Sequence, residues 1–316
     1  MVKKWTVIVR TQGKEVDLEL KNTLNSLIAQ TYENLSVLLT IHSDNEKSIE
    51  NTIAFLKPYR EMLNIKPIVV REKQGNRSYP LNVALENLDC EYISFLDDDD
   101  IYYPNMGTTL INAMEEKNKT FAFGRSIDVI ERLEKNISGE EYLYKVSKSK
   151  RAYQEFSKSL LILENFIPFN TFVVKRSLLE GIQFNEEMDY LEDWHFLKQL
   201  MFKKEFSFVQ LETLVSEYKR RNDHTDTYNE ENYGKWLESR EITDDYFKEK
   251  EITVKSVDLA PIKSFYEELF ENEKKKQLEK ITENPGYKIW NRAINNKILK
   301  NTVVKFVRKI RELLQK

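Results

Sequence analysis

Four consecutive aspartates, Asp97 to Asp100, follow the apolar run "YISFL" in the stretch "ISFLDDDDIYYP". Like charges packed this closely repel one another, so a folded chain needs either solvent or a counter-charge to keep them. Carboxylates at i and i+2, such as Asp97 and Asp99, are the hard oxygen donors that divalent cations take. Magnesium and manganese commonly keep one or two protein carboxylates and fill their other positions with water and substrate phosphate. The plainer reading is a solvated acidic turn, and the run alone does not separate the two.

Three other stretches carry residues able to do chemistry. "YLEDWHFLKQL" opens a helical pattern with Glu192 and Asp193. Carboxylates are favoured at a helix start by the dipole alone, but one of them could equally serve as a positioned general base. His195 beside them reads as a packed or exposed histidine. "QGNRSYPLNVAL" places Arg77 just ahead of a helix whose N-terminal amides can face an anion; its plain reading is a surface arginine. "YKRRNDHTDT" sets His224 among Lys219, Arg220 and Arg221. That is a mobile polar loop or, in company with a metal, part of a diphosphate site.

The elements that must position these residues are legible as a change of period. "WTVIVRT", "LSVLLTIHSD", "KPIVVRE" and "EYISFLD" are short apolar runs without alternation, separated by helical patterns over 17–31, 48–63 and 79–88. Such alternation predicts a parallel sheet covered on both faces. Ligands of these sheets sit beyond the carboxyl ends of the strands. Arg10, Thr11, His42 to Asp44, Arg71 and the aspartates are all strand-end residues, expected to line one crevice. Further on, 108–117 reads as a helix, 120–131 as a strand or hairpin arm, 132–160 as a charged loop or excursion plus a helix, 166–180 as a strand entering a helix, and 191–205 as a helix with Leu191, Trp194, Leu197 and Met201 on one stripe. Residues 206–220 read as one or two strands and 228–286 as charged helix.

Composition narrows the class. The chain has 316 residues, 41% of them hydrophobic, and a net charge of −3, which argues against a dedicated nucleic-acid binder. The charge is uneven: residues 287–316 hold nine basic side chains and one glutamate, while the preceding 286 residues carry a net −11. Trp290, Ile294, Ile298, Val303, Val307, Ile310 and Leu314 approximate an apolar stripe in that basic stretch. It could lie on an anionic membrane surface or pack on the acidic body. The single cysteine, Cys90, excludes an internal disulfide and a cysteine-rich zinc site. No signal-peptide pattern and no long apolar span is present, so the reading is cytoplasmic, with peripheral attachment at the inner face of the cell membrane as an option.

Taken together, "VIVRTQ", "LNSLIAQTYENLSVLLTIHSD", "NRSYPLNVALENLDCEYISFLDDDDIYYP", "FNEEMDYLEDWHFLKQL" and "YKRRNDH" resemble, in order and spacing, the family 2 glycosyltransferases of the GT-A fold, over residues 5–227. The most specific piece is the helix–strand–aspartate block, which is similar to the family's "N-x-A … Y-I-x-F-L-D-x-D-D-x(3)-P". The resemblance implies an α/β GT-A (Rossmann-like) domain, its mostly parallel sheet flanked by helices, over 1–227. The nucleotide-sugar half would be about 1–104 and the acceptor half about 105–227. A helical C-terminal extension over 228–316 would follow, ending in a basic amphipathic helix.

It also implies inverting, metal-assisted transfer from a nucleotide-sugar donor, UDP- or dTDP-linked, to a glycan or lipid-linked acceptor in cell-envelope polymer synthesis. By that resemblance Asp99 and His224 would hold Mn²⁺ or Mg²⁺. Asp97 and Asp98 would lie near ribose and diphosphate, Arg10, Thr11, Asp44 and Arg77 would touch the nucleotide, and Glu192-Asp193 would be the catalytic dyad with Asp193 as base. One departure stands out. His42 occupies a place in "TIHSDNEKS" where the family often has an acid, which leaves the nucleotide choice open. The rival readings are a metal-dependent nucleotidyltransferase, disfavoured because "RTQGKEVD" has only Gly13 for a phosphate loop, and a non-catalytic member that binds a glycan or partner.

Overall fold

The structure, a computed structural model, describes residues 2–13, 18–151, 154–188, 190–221, 232–253, 256–283 and 288. The basic stretch 287–316 therefore lies outside the described residues except for Lys288, as does His224. The chain divides into two compact units, Met1–Val254 and Lys255–Lys316.

The first unit begins as the sequence pattern predicts. Strand β1 (Trp5–Thr11), helix α1 (Leu18–Ile28), β2 (Leu35–His42), α2 (Glu46–Leu56), β3 (Asn64–Val70), α3 (Tyr79–Glu86) and β4 (Tyr92–Asp97) follow in strict alternation. The strands pair in parallel in the order β3-β2-β1-β4. Trp5, Val7 and Val9 point into a core on one face while Ile8 joins a second core on the other. Burial on both faces is why β1, β2 and β4 carry no polar alternation, whereas the edge strand β3 exposes Asn64 and Lys66. Asn45 caps α2 by accepting from Ser48 N at 3.0 Å, one of the orphan amides of a helix start.

Beyond the aspartates the sheet becomes mixed. A two-residue strand, β5 (Ile101–Tyr102), leads into α4 (Met106–Glu116). Then come β6 (Phe121–Lys135), β7 (Glu141–Lys150), α5 (Lys158–Leu163), β8 (Phe172–Lys175), α6 (Glu192–Met201), β9 (Phe208–Arg221) and α7 (Tyr233–Phe247). The sheet continues from β4 through β8, β6 and β9 to β5. The β4–β8, β8–β6 and β9–β5 pairs are antiparallel and β6–β9 is parallel.

The charged segment after 131 is not a loop. It is the far half of a long antiparallel hairpin, β6–β7, turned at Asn136–Glu140 with Gly139 at φ +82°. The segment over 166–180 forms a short strand that enters a helix as expected, the helix being a 3-10 turn and a second 3-10 turn preceding the strand. The proposed domain boundary at 227 falls among residues that are not described. α7 belongs to the first unit and packs on α6: Ser239 Oγ accepts from Tyr190 N at 3.2 Å, and the buried Thr243 meets His195 Nδ1 at 3.5 Å. The second unit contains α8 (Ala260–Glu283), a highly charged helix with Leu269 and Phe270 exposed.

Two packing features fix the site. Phe95 on β4 lies 5.4 Å, centroid to centroid, from Phe196 on α6, and Phe184 stacks on Phe196 at 4.3 Å. This aromatic cluster ties the end of the parallel half to the helix that begins with Glu192. On the opposite face, Trp5 donates to Ser94 Oγ at 2.8 Å, and α4 crosses it so closely that a Cβ on Gly107 would sit 2.2 Å from the indole.

Candidate active site

The four aspartates form a tight turn at the end of β4, closed by Asp100 N–H donating to Asp97 O at 3.2 Å. Thr23 on α1 holds the turn from beneath, its hydroxyl lying 2.9 Å from Asp98 O and 2.7 Å from Asp100 O. Carboxylate oxygens of Asp97, Asp99 and Asp100 come within 4.8 Å of one another. Burial first, then the charges of Asp97 and Asp98, push the Asp99 pKa well above the usual carboxylate range. Asp100 is raised in the same direction by burial and by Asp99 and Asp97. Clustered oxygens that cannot all stay ionised unaided fit a hard divalent cation.

Asp100 is the one of the four aspartates to which the resemblance assigns no role. Only 2% exposed, it is held by both oxygens: Asn170 Nδ2 donates to Oδ2 at 2.7 Å and Lys219 N to Oδ1 at 2.8 Å. It therefore fastens the acidic turn to β9 and to the 3-10 turn before β8.

Arg10, at the end of β1, reaches across the sheet ends. Its Nε donates to Asp97 Oδ1 at 2.8 Å, and its Nη1 donates to Glu192 Oε1 at 3.0 Å and to Arg77 O at 2.8 Å. Arg77 Nε donates to the same Glu192 oxygen at 2.9 Å. Burial alone would raise the Glu192 pKa, but Arg77 and Arg10 override it and hold it at about 2. Glu192 is thus a permanently ionised tie between two guanidinium groups.

Its neighbour behaves oppositely. Burial and the Glu192 charge push the Asp193 pKa up to about 6, against the restraint of Asn165 and of the Trp194 amide. The helix bearing both begins at Leu191, which sits in the left-handed region at φ 60°. Strain of this kind in a non-glycine residue needs support from its surroundings, and Leu191 is packed against the second core.

The other expected site residues divide. Thr11 is buried at the strand end, its hydroxyl accepting from Gly13 N at 3.3 Å. Asp98 contributes its carbonyl to the Thr23 clamp. Asp44 is exposed and joins none of these hydrogen bonds. His42 is buried, its Nε2 2.9 Å from Glu72 O, and Arg71 pairs with Glu46 at 2.7 Å, so neither is drawn into the arginine–carboxylate network. His195 is a packed histidine against Tyr246 and Phe247, and burial holds its pKa down at about 4. Asn165 and Asn170 join these contacts without any local sequence signal, and Lys219, noted in the sequence only as a cation beside His224, joins through its backbone amide. Asn170 and Lys219 meet Asp100 across 70 and 119 residues.

A parallel β/α half ending in an acidic turn, joined to a mixed half that brings a carboxylate-headed helix beside it, is the architecture of the GT-A glycosyltransferases. The fold superposes on TarS 1–349 of S. aureus in complex with UDP-GlcNAc with a TM-score of 0.58 and 19% identity, covering 79% of this chain and 68% of that one. It also superposes on a mannosyltransferase of Pyrobaculum calidifontis in complex with GDP-Man and Mn²⁺, with a TM-score of 0.54 and 12% identity over 83% and 68% of the two chains. The chain belongs to glycosyl transferase family 2, whose profile matches residues 6–182. Among curated relatives it is 28% identical over 124 residues to the poly(ribitol-phosphate) β-N-acetylglucosaminyltransferase TarP of Staphylococcus aureus (strain N315), a match spanning 39% of this chain and 37% of that protein's length. No described helix is long and apolar enough to cross a membrane.

Proposed function

We propose that this chain transfers a sugar, with inversion, from a nucleoside-diphosphate sugar to a hydroxyl of an envelope polymer. The observation that carries the reading is the span of Arg10. One guanidinium touches both Asp97 on the acidic turn and Glu192 on the dyad, which draws the donor-side and acceptor-side carboxylates of this reading together.

Asp97, Asp99 and Asp100 offer the oxygens for Mn²⁺ or Mg²⁺, which when bound would neutralise the diphosphate and the charge it gains on leaving. Asp99 is the central ligand in this reading. Asp98 and Arg77 flank the ribose and diphosphate, and Arg10 and Thr11 lie toward the base. Glu192, locked by two arginines, positions them and takes no proton. Asp193, with a pKa near neutrality, is suited to accept one. It takes the acceptor hydroxyl's proton as that oxygen attacks the anomeric carbon, and the bond to the diphosphate breaks with its electron pair leaving on the diphosphate. A single displacement of this kind inverts the anomeric centre.

UDP is the favoured nucleotide, on the strength of the UDP-GlcNAc complex of TarS. A polyol-phosphate acceptor is suggested by the name of TarP. An anionic polymer also suits the rim beside the acidic turn, where the Arg151 and Arg220 guanidinium groups lie over the Tyr218 ring at 4.6 and 5.3 Å. The test is a thermal-shift screen of nucleotide sugars with and without Mn²⁺, followed by turnover with the sugar that stabilises. Stabilisation by no nucleotide sugar under either condition overturns the reading.

A further inference from the structure

Asn165 stands just beyond α5, and that segment is gripped from two sides. Trp194 Nε1 donates to Leu161 O at 2.6 Å, and Arg240 Nη2, from α7, donates to Leu163 O at 2.9 Å. The amide so placed lies across the carboxylate of Asp193, with Nδ2 3.3 Å from Oδ1 and 3.2 Å from Oδ2. Asp193 Oδ1 already accepts from Trp194 N at 2.8 Å, which leaves Oδ2 the less engaged oxygen. The carbonyl end of the same amide, Asn165 Oδ1, is buried and has no hydrogen-bond partner among the described residues.

Buried side-chain oxygens are nearly always paired, and an exception calls for a reason. Rotating the amide would not mend it, since that would aim Oδ1 at an ionised carboxylate. The side chain is held where its N–H groups serve Asp193 at the expense of its own carbonyl.

We propose that Asn165 is the positioning residue of the proton-accepting step: it keeps Asp193 ionised and turned so that Oδ2, the oxygen that the Trp194 amide does not engage, takes the acceptor's proton. The inference rests on the reading of Asp193 as base. Donation to the charged form favours that form, and here it opposes a strong push the other way. Glu192 on the same helix and burial raise the Asp193 pKa, whereas Arg77 from the loop before α3, the Trp194 amide and Asn165 lower it. The remaining charges packed nearby are Lys198 on α6, Glu164 beside Asn165, and Arg240 and Asp244 on α7. They engage one another around Trp194: Lys198 Nζ is 3.5 Å from Asp244 and 3.6 Å from the indole centroid.

The experiment compares the full chain with Asn165→Leu, Asn165→Ala and Asp193→Asn. The Asp193 carboxyl is followed by ¹³C NMR titration and assigned by its disappearance in Asp193→Asn. Turnover is followed against pH with UDP-GlcNAc as donor probe and poly(ribitol phosphate) as acceptor probe. Loss of Asn165 moves the Asp193 titration, and with it the acidic limb of kcat/KM, to higher pH by about one unit. kcat falls by about tenfold or more, while UDP affinity in Mn²⁺ stays within about twofold. If the titration stays in place in both Asn165 variants, the proposal is overturned, whether or not activity or Tm has dropped, since a purely structural role moves those but not the titration. Turnover retained by Asp193→Asn sinks the underlying assignment of the base as well, and is told apart by the intact titration shift.

Discussion

Asp99, on the acidic turn, and Glu192, joined to that turn through Arg10 and Asp97, are carboxylates that the fold treats in opposite ways. Glu192 receives two arginines and is held at about pKa 2. Asp99 is set among three other aspartates and pushed well above the carboxylate range. One charge is neutralised by the protein; the other is not, and in the proposed function it is the one a divalent cation would neutralise. A buried group whose charge is compensated internally is a fixed part of the framework. One whose compensation is withheld is poised to bind a cation, because binding relieves the repulsion that folding builds in.

The sharpest way to break this comparison is to remove the acids that depend on substrate or metal. Asp99→Ala is expected to abolish Mn²⁺-dependent UDP binding, read by calorimetry, while leaving the fold intact. Asp193→Asn is expected to keep that binding and lower transfer by about 10³-fold, within the range of a lost general base. Binding of UDP that is unchanged in Asp99→Ala with Mn²⁺ present would refute the first, and near-normal turnover the second.

Next in size is the framework acid. Glu192→Ala leaves Arg10 and Arg77 without their shared carboxylate, and breaking a buried pair from one side costs about 3 kcal/mol or more. Urea unfolding should register it as a lower midpoint. A stability within about 0.5 kcal/mol of the parent would show that the two guanidinium groups find solvent freely, and the framework reading of Glu192 would go.

The same contrast predicts two pH dependences of opposite sign. Glu192 titrates lower in the folded chain than unfolded, so its contribution is present above the ordinary glutamate value near 4.5 and is lost as pH falls toward about 2. Asp99 and Asp100 titrate higher when folded. Their ionisation therefore costs stability as pH rises above the ordinary aspartate value, and Mn²⁺ should return it. The Mn²⁺-induced rise in Tm should then be larger at pH 8 than at pH 5, and absent in Asp99→Ala. A rise independent of pH would mean that the ion binds elsewhere.

How much of this was legible in the sequence follows the same division between local and distant causes. The β/α alternation through Asp97 was readable because β1, β2 and β4 are apolar on both faces and the edge strand β3 still carries the apolar run of Ile68, Val69 and Val70. The Glu192-Asp193 helix was readable because Trp194, Leu197 and Met201 repeat at helical spacing. The β6–β7 hairpin was not, because its outer strand is exposed along almost its whole length and so shows no apolar face. The turn "NISGE" with Gly139 was the only signal available. Nor could four identical acids reveal which one turns inward. That depends on Asn170 and Lys219, far away in the chain, as the state of Asp193 depends on Asn165 across 28 residues.

The hairpin supplies the smallest and most discriminating test. Glu217 on β9 is only 3% exposed in its side chain, and like Glu192 it is met by two cations, Lys145 and Lys148 at 2.8 Å each. Burial alone would raise its pKa; the lysines reverse that and lower it. Yet the two lysines are 43% and 47% exposed, on flexible stems that water can replace, whereas the Arg10 side chain is only 13% exposed. Each lysine contact is therefore screened and worth little individually. Lys148→Met should cost less than about 1 kcal/mol, and high salt should erase the difference. Glu192→Ala should remain costly at any ionic strength, since its partners are screened less where they are buried. If Lys148→Met proved as damaging as Glu192→Ala, the number of cations around a buried acid, and not their rigidity and burial, would be what decides its stability.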